Sequence, residues 1–196
     1  MGTETDYGFL LLVSHAATIV WLFTLIRHFR GEYFYFFLFS NCSNIAGLIL
    51  WALFSYNTNL VMLFFAFLLI PAVENQFLKN SREKLIYLVA VTTVTLVLFP
   101  VNSPFVAVSL VLFIYLFLSL SFTRKIILSV AFSAEINLIH SLLLFYCLSI
   151  VVKIYNGLIG PGFGYYNFMV FQIINIIMGI IFTFVTPDTK VFKIKI

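Results

Sequence analysis

The sequence is short of charge. Asp, Glu, Lys and Arg make up 9% of its 196 residues, where a soluble domain carries about 25%. That leaves too little polar surface to wrap a water-soluble globule of this size. Cysteine is scarce as well, with two in the chain, which excludes a small secreted disulfide scaffold. Extended hydrophilic stretches are missing. The longest polar connections cover 74–84 and 153–167, and neither holds a phosphate loop, a zinc cluster or a nucleophile elbow. No soluble domain is therefore expected. What the chain has instead is hydrophobicity: 63% of residues are drawn from AVILMFWYC, 25 of them are Phe, and the mean hydropathy is +1.12. Such a composition also excludes disorder. The class that remains is an all-α integral membrane protein, a single polytopic domain over residues 1–196.

A bilayer core about 30 Å thick needs roughly 20 apolar residues per helix. Seven such runs are present, at about 8–29, 33–55, 58–78, 84–100, 104–122, 126–152 and 168–186. The pair at 84–122 also fits a re-entrant hairpin, which would leave five full spans. Membrane strands would alternate polar and apolar residues, and these runs do not. The N-terminus carries Glu4 and Asp6 and no basic residue, so it lacks the positive region of a cleavable signal. The first run reads as a retained helix.

Orientation follows from the basic residues. Arg27, Arg30, Lys79, Arg82, Lys84, Arg124, Lys125, Lys190, Lys193 and Lys195 fall on one side of the seven-span layout, ten of the eleven in the chain. Only Lys153 falls on the other. Cytoplasmic loops carry the basic excess, which predicts an N-terminus outside and a C-terminus inside an inner or plasma membrane. The net charge of +4 is then topogenic, and no nucleic-acid partner is implied.

Polar side chains are costly in a bilayer, so their positions carry the functional signal. The fourth and fifth runs hold only hydroxyls and Tyr87. Those hydroxyls can bond their own helix backbone, and the two runs read as lipid-facing scaffold. Stronger polar groups concentrate in the other runs: His15 in the first, Asn41 and Asn44 in the second, Asn137 and His140 in the sixth, Gln172 and Asn175 in the seventh. Helical spacing puts Ser129, Ser133, Asn137, His140 and Ser141 on one face of the sixth run, with Glu135 nearly opposite. A helix polar on both sides belongs at the centre of the bundle.

Glu135 would be the one acid deep in the membrane. An ionised carboxylate there costs on the order of 3 kcal/mol, so it should be protonated, bound to a cation, or held by donors such as Asn41 and Asn44. The expected site is a polar cavity between the first, second, sixth and seventh spans. It would bind a small solute or cation through Glu135, Asn41, Asn44, Asn137, His140, His15, Gln172 and Asn175, and transport is the expected activity. A sensor or a subunit working with a second copy or another membrane protein is the alternative. An intramembrane enzyme is third. No cofactor or metal is implied.

One short internal match stands out. Phe39-Ser40-Asn41-Cys42-Ser43-Asn44-Ile45 and Phe132-Ser133-Ala134-Glu135-Ile136-Asn137-Leu138 both read Phe-Ser-x-x-x-Asn and a branched aliphatic. The first three and last three spans also run in the same directions, with the fourth as connector, the arrangement of a parallel repeat. This 3+1+3 order resembles the topology of the SWEET sugar transporters. The Pro-Gln pair of that group is absent here, so the resemblance carries no residue across.

Overall fold

The computed structural model describes residues 4–54, 58–74, 80–98, 104–133, 135–159, 164–185 and 192–193. Those residues form seven α-helices: α1 Glu4–Arg27, α2 Phe34–Phe54, α3 Asn59–Val73, α4 Ser81–Leu98, α5 Pro104–Ser133, α6 Leu138–Ile159 and α7 Gly164–Phe184. Two short strands, β1 Glu135–Ile136 and β2 Phe192–Lys193, pair antiparallel with Glu135 opposite Lys193.

Local chemistry sets several of the boundaries. After α1 the chain turns through Arg30, whose φ of 63° is left-handed. Pro71 occupies the last turn of α3; it lacks an N–H and crowds the turn before it, and the helix stops within three residues. Pro104 opens α5, where its missing N–H costs nothing. Asn137 caps α6 by accepting the Ile139 N–H at 3.1 Å, the usual role of a short amide at a helix start.

The largest departure from the sequence reading lies at 104–152. Thr123-Arg124-Lys125 was expected to be a loop, yet α5 runs through it as one helix of 30 residues. No Gly or Pro occurs between Phe105 and Asn156, Arg and Lys are good helix formers, and their long stems carry the charge outward. The break comes instead at 135–137, before α6, where short polar side chains compete for the backbone. There Ser129 donates to the Glu135 carbonyl at 2.8 Å and Ser133 to the Ser129 carbonyl at 2.6 Å. Glu135 is thus in the α5–α6 connection, not inside a helix, and α6 has no second polar face built on it.

Six helices close into a ring. α1 packs on α2, α2 on α3, α3 on α5, α5 on α6, α6 on α7, and α7 back on α1. α4 stands outside and packs on α3, tied by a bond of 2.7 Å from the Tyr87 hydroxyl to the Phe67 carbonyl. Its hydroxyls Thr92, Thr93 and Thr95 donate to their own helix at 2.8–2.9 Å, as expected. α5 is different from the scaffold helix foreseen for it. Ala107, Val111, Ile114, Tyr115, Leu118 and Phe122 are buried in the core.

Contacts between neighbouring helices gather the ends of α1, α3, α5 and α7 and the starts of α2 and α6 at one end of the ring. Lys125 on α5 reaches the Val73 carbonyl on α3 at 2.7 Å, and His28 after α1 lies 2.8 Å from the Phe182 carbonyl on α7. The β1–β2 pair lies at the same end. This end is termed the basic end below, since Arg27, Arg30, Arg124, Lys125 and Lys193 belong to it.

Two helices, α5 and residues 138–158 of α6, are long and apolar enough to cross a membrane. The outer surface is heavily apolar: Leu12, Ile26, Phe113, Leu120 and Phe132 are all more than 60% exposed. Water does not tolerate so continuous a surface without association, and the chain is suited to a membrane.

Candidate functional site

Inside the ring the basic end is closed by aromatic rings. Trp21, Tyr33, Phe36, Phe37, Phe122, Tyr146 and Phe182 are all buried, and each touches at least one other. Trp21 lies 4.9 Å from Tyr146 by ring centroids, 5.9 Å from Phe37 and 6.0 Å from Phe182. Phe36 bridges to Phe122 and Tyr146, both at 6.2 Å, and Tyr33 meets Phe122 at 6.0 Å. Edge and tilted contacts of this kind hold about 0.5–1.5 kcal/mol each beyond area burial. The rings come from α1, α2, α5, α6, α7 and the α1–α2 connection, so the layer ties nearly the whole ring together.

Beyond that layer lies a cavity of about 100 Å³. Its walls come from α2, α3, α5, α6 and α7, and α1 contributes nothing, contrary to the expected first-helix wall. The polar lining is Ser40, Ser43 and Asn44 from α2, Tyr115 from α5, Tyr146, Ser149 and Lys153 from α6, and Gln172 and Asn175 from α7. Met62, Phe65, Ala66 and Leu69 of α3 supply an apolar side. Two of the polar atoms, Ser40 Oγ and Asn175 Oδ1, are enclosed and make no hydrogen bond. Leaving such groups unpaired costs on the order of 1–3 kcal/mol each, which a bound polar molecule or water would recover.

Among the described residues of this lining, Lys153 is the charged side chain. The charged group thus has the opposite sign from the one expected. In the sequence Lys153 registered only as the lone basic residue off the basic side. Its place at the start of the 153–167 connection gave no reason to look inward, yet the α6 face bearing Tyr146, Ser149 and Lys153 has the spacing of one helical side.

The expected site residues separate into three groups. Asn44, Gln172 and Asn175 do meet in the cavity. Asn41 is buried next to it but serves the fold, its amide donating to the Trp21 and Phe37 carbonyls at 2.9 Å each. Asn137 caps α6, Glu135 sits in β1, and His15 is exposed on α1. His140 lies away from the cavity, edge-on to Tyr33 with 5.7 Å between ring centroids. Among the described residues no three potential metal ligands come together, and Cys42 and Cys147 are free thiols.

The internal sequence match fails in three dimensions. Phe39 to Asn44 lies within α2, whereas Phe132 to Asn137 straddles the end of α5 and the cap of α6.

Compared with family models, curated proteins and solved structures, the chain matches none.

Proposed function

We propose that this chain spans a cell membrane seven times, through α1 to α7, with the basic end in the cytoplasm and the N-terminus outside, and that it carries a small organic or inorganic anion. The observation behind this reading is Lys153, set among Asn44, Ser149, Gln172 and Asn175 in the wall of a partly open cavity. A cation held within a membrane bundle is expensive, on the order of 3 kcal/mol even by insertion measurements, and such residues mark ion and substrate routes. Amides and hydroxyls around an ammonium suit carboxylate or phosphate oxygens.

Transport fits the architecture better than sensing. The cavity sits inside a six-helix ring, and a repeat of α1–α3 and α5–α7 would put it on the seam between the two halves, as in carriers built that way. It is shut from the basic end by aromatic rings that a rearrangement of the halves would part. The aromatic layer is accordingly the inner gate of an outward-facing or closed state.

The experiment is a thermal-stability panel on the purified chain in detergent, with acetate, pyruvate, succinate, inorganic phosphate and neutral glycerol as probes. An anion present at a hundred times its dissociation constant stabilises by about 2.7 kcal/mol. The expected result is a melting shift with at least one anion that is lost in Lys153→Met and reduced in Gln172→Leu. Uptake of that anion into proteoliposomes would follow. A shift with none of the anions, or one unchanged in Lys153→Met, overturns the reading.

A further inference from the structure

A second cluster of titratable groups lies on the other side of the aromatic layer, apart from the cavity. Tyr33 is fully buried in the α1–α2 connection, and its hydroxyl makes no hydrogen bond of normal geometry although the Glu32 carboxylate is close enough to act on it. The Lys125 ammonium lies over the Tyr33 ring at 5.3 Å and over Phe122 at 5.9 Å. It is within the electrostatic reach of Glu32 and Glu74. Glu74, at the end of α3, accepts a hydrogen bond from Ser121. His140 completes the group, with both ring nitrogens enclosed and neither hydrogen-bonded.

An imidazole in that state has an open acceptor for a proton and a carboxylate to balance the charge gained. Burial weighs most against the charged form of the ring; Glu32 opposes that effect with its negative charge and Lys125 adds to it with its positive one. The remaining neighbours are quickly accounted for. α2 and α7 contain no charged residue between Phe34 and Phe54 or between Gly164 and Phe184. Arg27 and His28 close the end of α1, and Glu135 and Lys193 form the strand pair just before α6.

We propose that His140 is a proton-binding site whose occupancy loosens the aromatic layer from the basic end. The proton comes from water on that side and adds to the free nitrogen lone pair; no bond in the protein breaks. The resulting imidazolium competes with Lys125 for the Glu32 carboxylate. Lys125 is the group that clamps α5 to the α3 carboxyl end and covers the Tyr33 and Phe122 rings, so weakening its hold frees those rings. Tyr33 touches Phe122, Phe122 touches Phe36, Phe36 touches Tyr146 and Tyr146 touches Trp21, which links the site to the layer by direct contact. The inference is independent of what the cavity binds.

Trp21 gives a reporter within the layer. In nanodiscs, Trp51→Phe leaves it as the single tryptophan. Side-chain nitrogen NMR of labelled histidine, assigned with His140→Gln, should show His140 taking up a proton as the pH is lowered. The Trp21 emission should change with the same midpoint, and His140→Gln should abolish that change. Glu32→Gln, at an exposed position that spares the fold, should move both midpoints about one pH unit lower, and Lys125→Gln should move them higher. A His140 resonance that does not titrate, a titration unaffected by Glu32→Gln, or a titration without any change at Trp21 would each overturn the proposal.

Discussion

Trp21 donates its indole N–H to the main-chain carbonyl of Asn175, 3.0 Å away across the α1–α7 interface. The bond is made possible by Gly179 one turn later, over which the indole lies. A β-carbon at Gly179 would stand 2.7 Å from Val20 Cγ1 and 3.1 Å from Trp21 Cδ1 and Nε1. The same interface is stitched by Thr24, whose hydroxyl is 2.8 Å from the Gly179 carbonyl and 3.2 Å from the Thr183 hydroxyl. Close helix approach at small residues, with hydroxyls bonding across, is how helices associate where lipid removes the hydrophobic drive between them.

Gly179→Ala is therefore expected to destabilise the fold even though alanine is the better helix former. The helix gains about 1 kcal/mol from the exchange, but overpacking typically costs about 1–3 kcal/mol. Val20 is β-branched and held to one rotamer in a helix, so it cannot swing aside. Melting of the detergent-solubilised chain should fall, and Trp21 emission should shift as its bond to Asn175 is strained. An unchanged melting temperature with unchanged emission would show that α1 and α7 can part at no cost.

Asn41 separates a structural amide from a ligand. Its NH2 group bonds two carbonyls on α1 and α2, and its own oxygen has no partner. Asn41→Leu removes two hydrogen bonds worth roughly 0.6 kcal/mol each inside a membrane bundle, together with one unpaired acceptor. The net change in stability should stay within about 1 kcal/mol. Asn41→Asp keeps the shape but turns oxygens toward the carbonyls of Trp21 and Phe37, and it should fail to give a folded chain. Anion-induced stabilisation should survive Asn41→Leu and decline in Asn44→Leu, as measured by the same melting panel.

The contrast between Asn41 and Asn44 shows what the sequence could and could not say. Both amides were visible as costly groups in an apolar run, and neither declared whether its partner was a helix carbonyl or a cavity. That distinction depends on which neighbour faces each side chain, a property of packing. The seven apolar runs were legible because length and hydropathy are local. The α5–α6 break was not, because a basic pair resembles a membrane-flanking loop until the missing Gly and Pro are weighed. Misplacing that break by ten residues put Glu135 inside a helix and made it the centre of the expected site. Lys153 escaped notice for the converse reason: it was counted as a loop charge, and its inward aim appears only once α6 extends to Ile159.

Arg30 offers a test of the α1–α2 turn. Its φ of 63° is a conformation that costs an L-residue roughly 1–2 kcal/mol. Arg30→Gly removes that cost and forfeits an exposed contact with the Phe29 ring at 5.3 Å, worth about 0.5–1 kcal/mol. The variant should be equal to or more stable than the parent by up to about 1 kcal/mol, read from its melting temperature. A clear loss would mean that the guanidinium itself holds the turn.

His28 makes stability depend on pH through a separate route. It lies past the end of α1, is 2% exposed, and has one ring nitrogen against the Phe182 carbonyl and the other enclosed without a partner. Burial pulls its pKa below the ordinary value of 6.5, against the opposing effect of carbonyl contacts with Phe182 and Val185. The unfolded chain then binds the proton more readily than the folded one. Stability is fully present above pH 6.5 and declines as the pH falls toward the folded pKa. Melting scans from pH 8 to pH 5 in a His140→Gln background isolate the effect from the neighbouring site. The melting temperature should fall across that range with His28 in place. His28→Gln should be less stable at pH 8, having lost the ring contact with Phe37 and the bond to the Phe182 carbonyl, and its melting temperature should change less with pH. An equal slope in both chains would mean that folding leaves the His28 pKa unshifted, the carbonyl contacts cancelling the effect of burial.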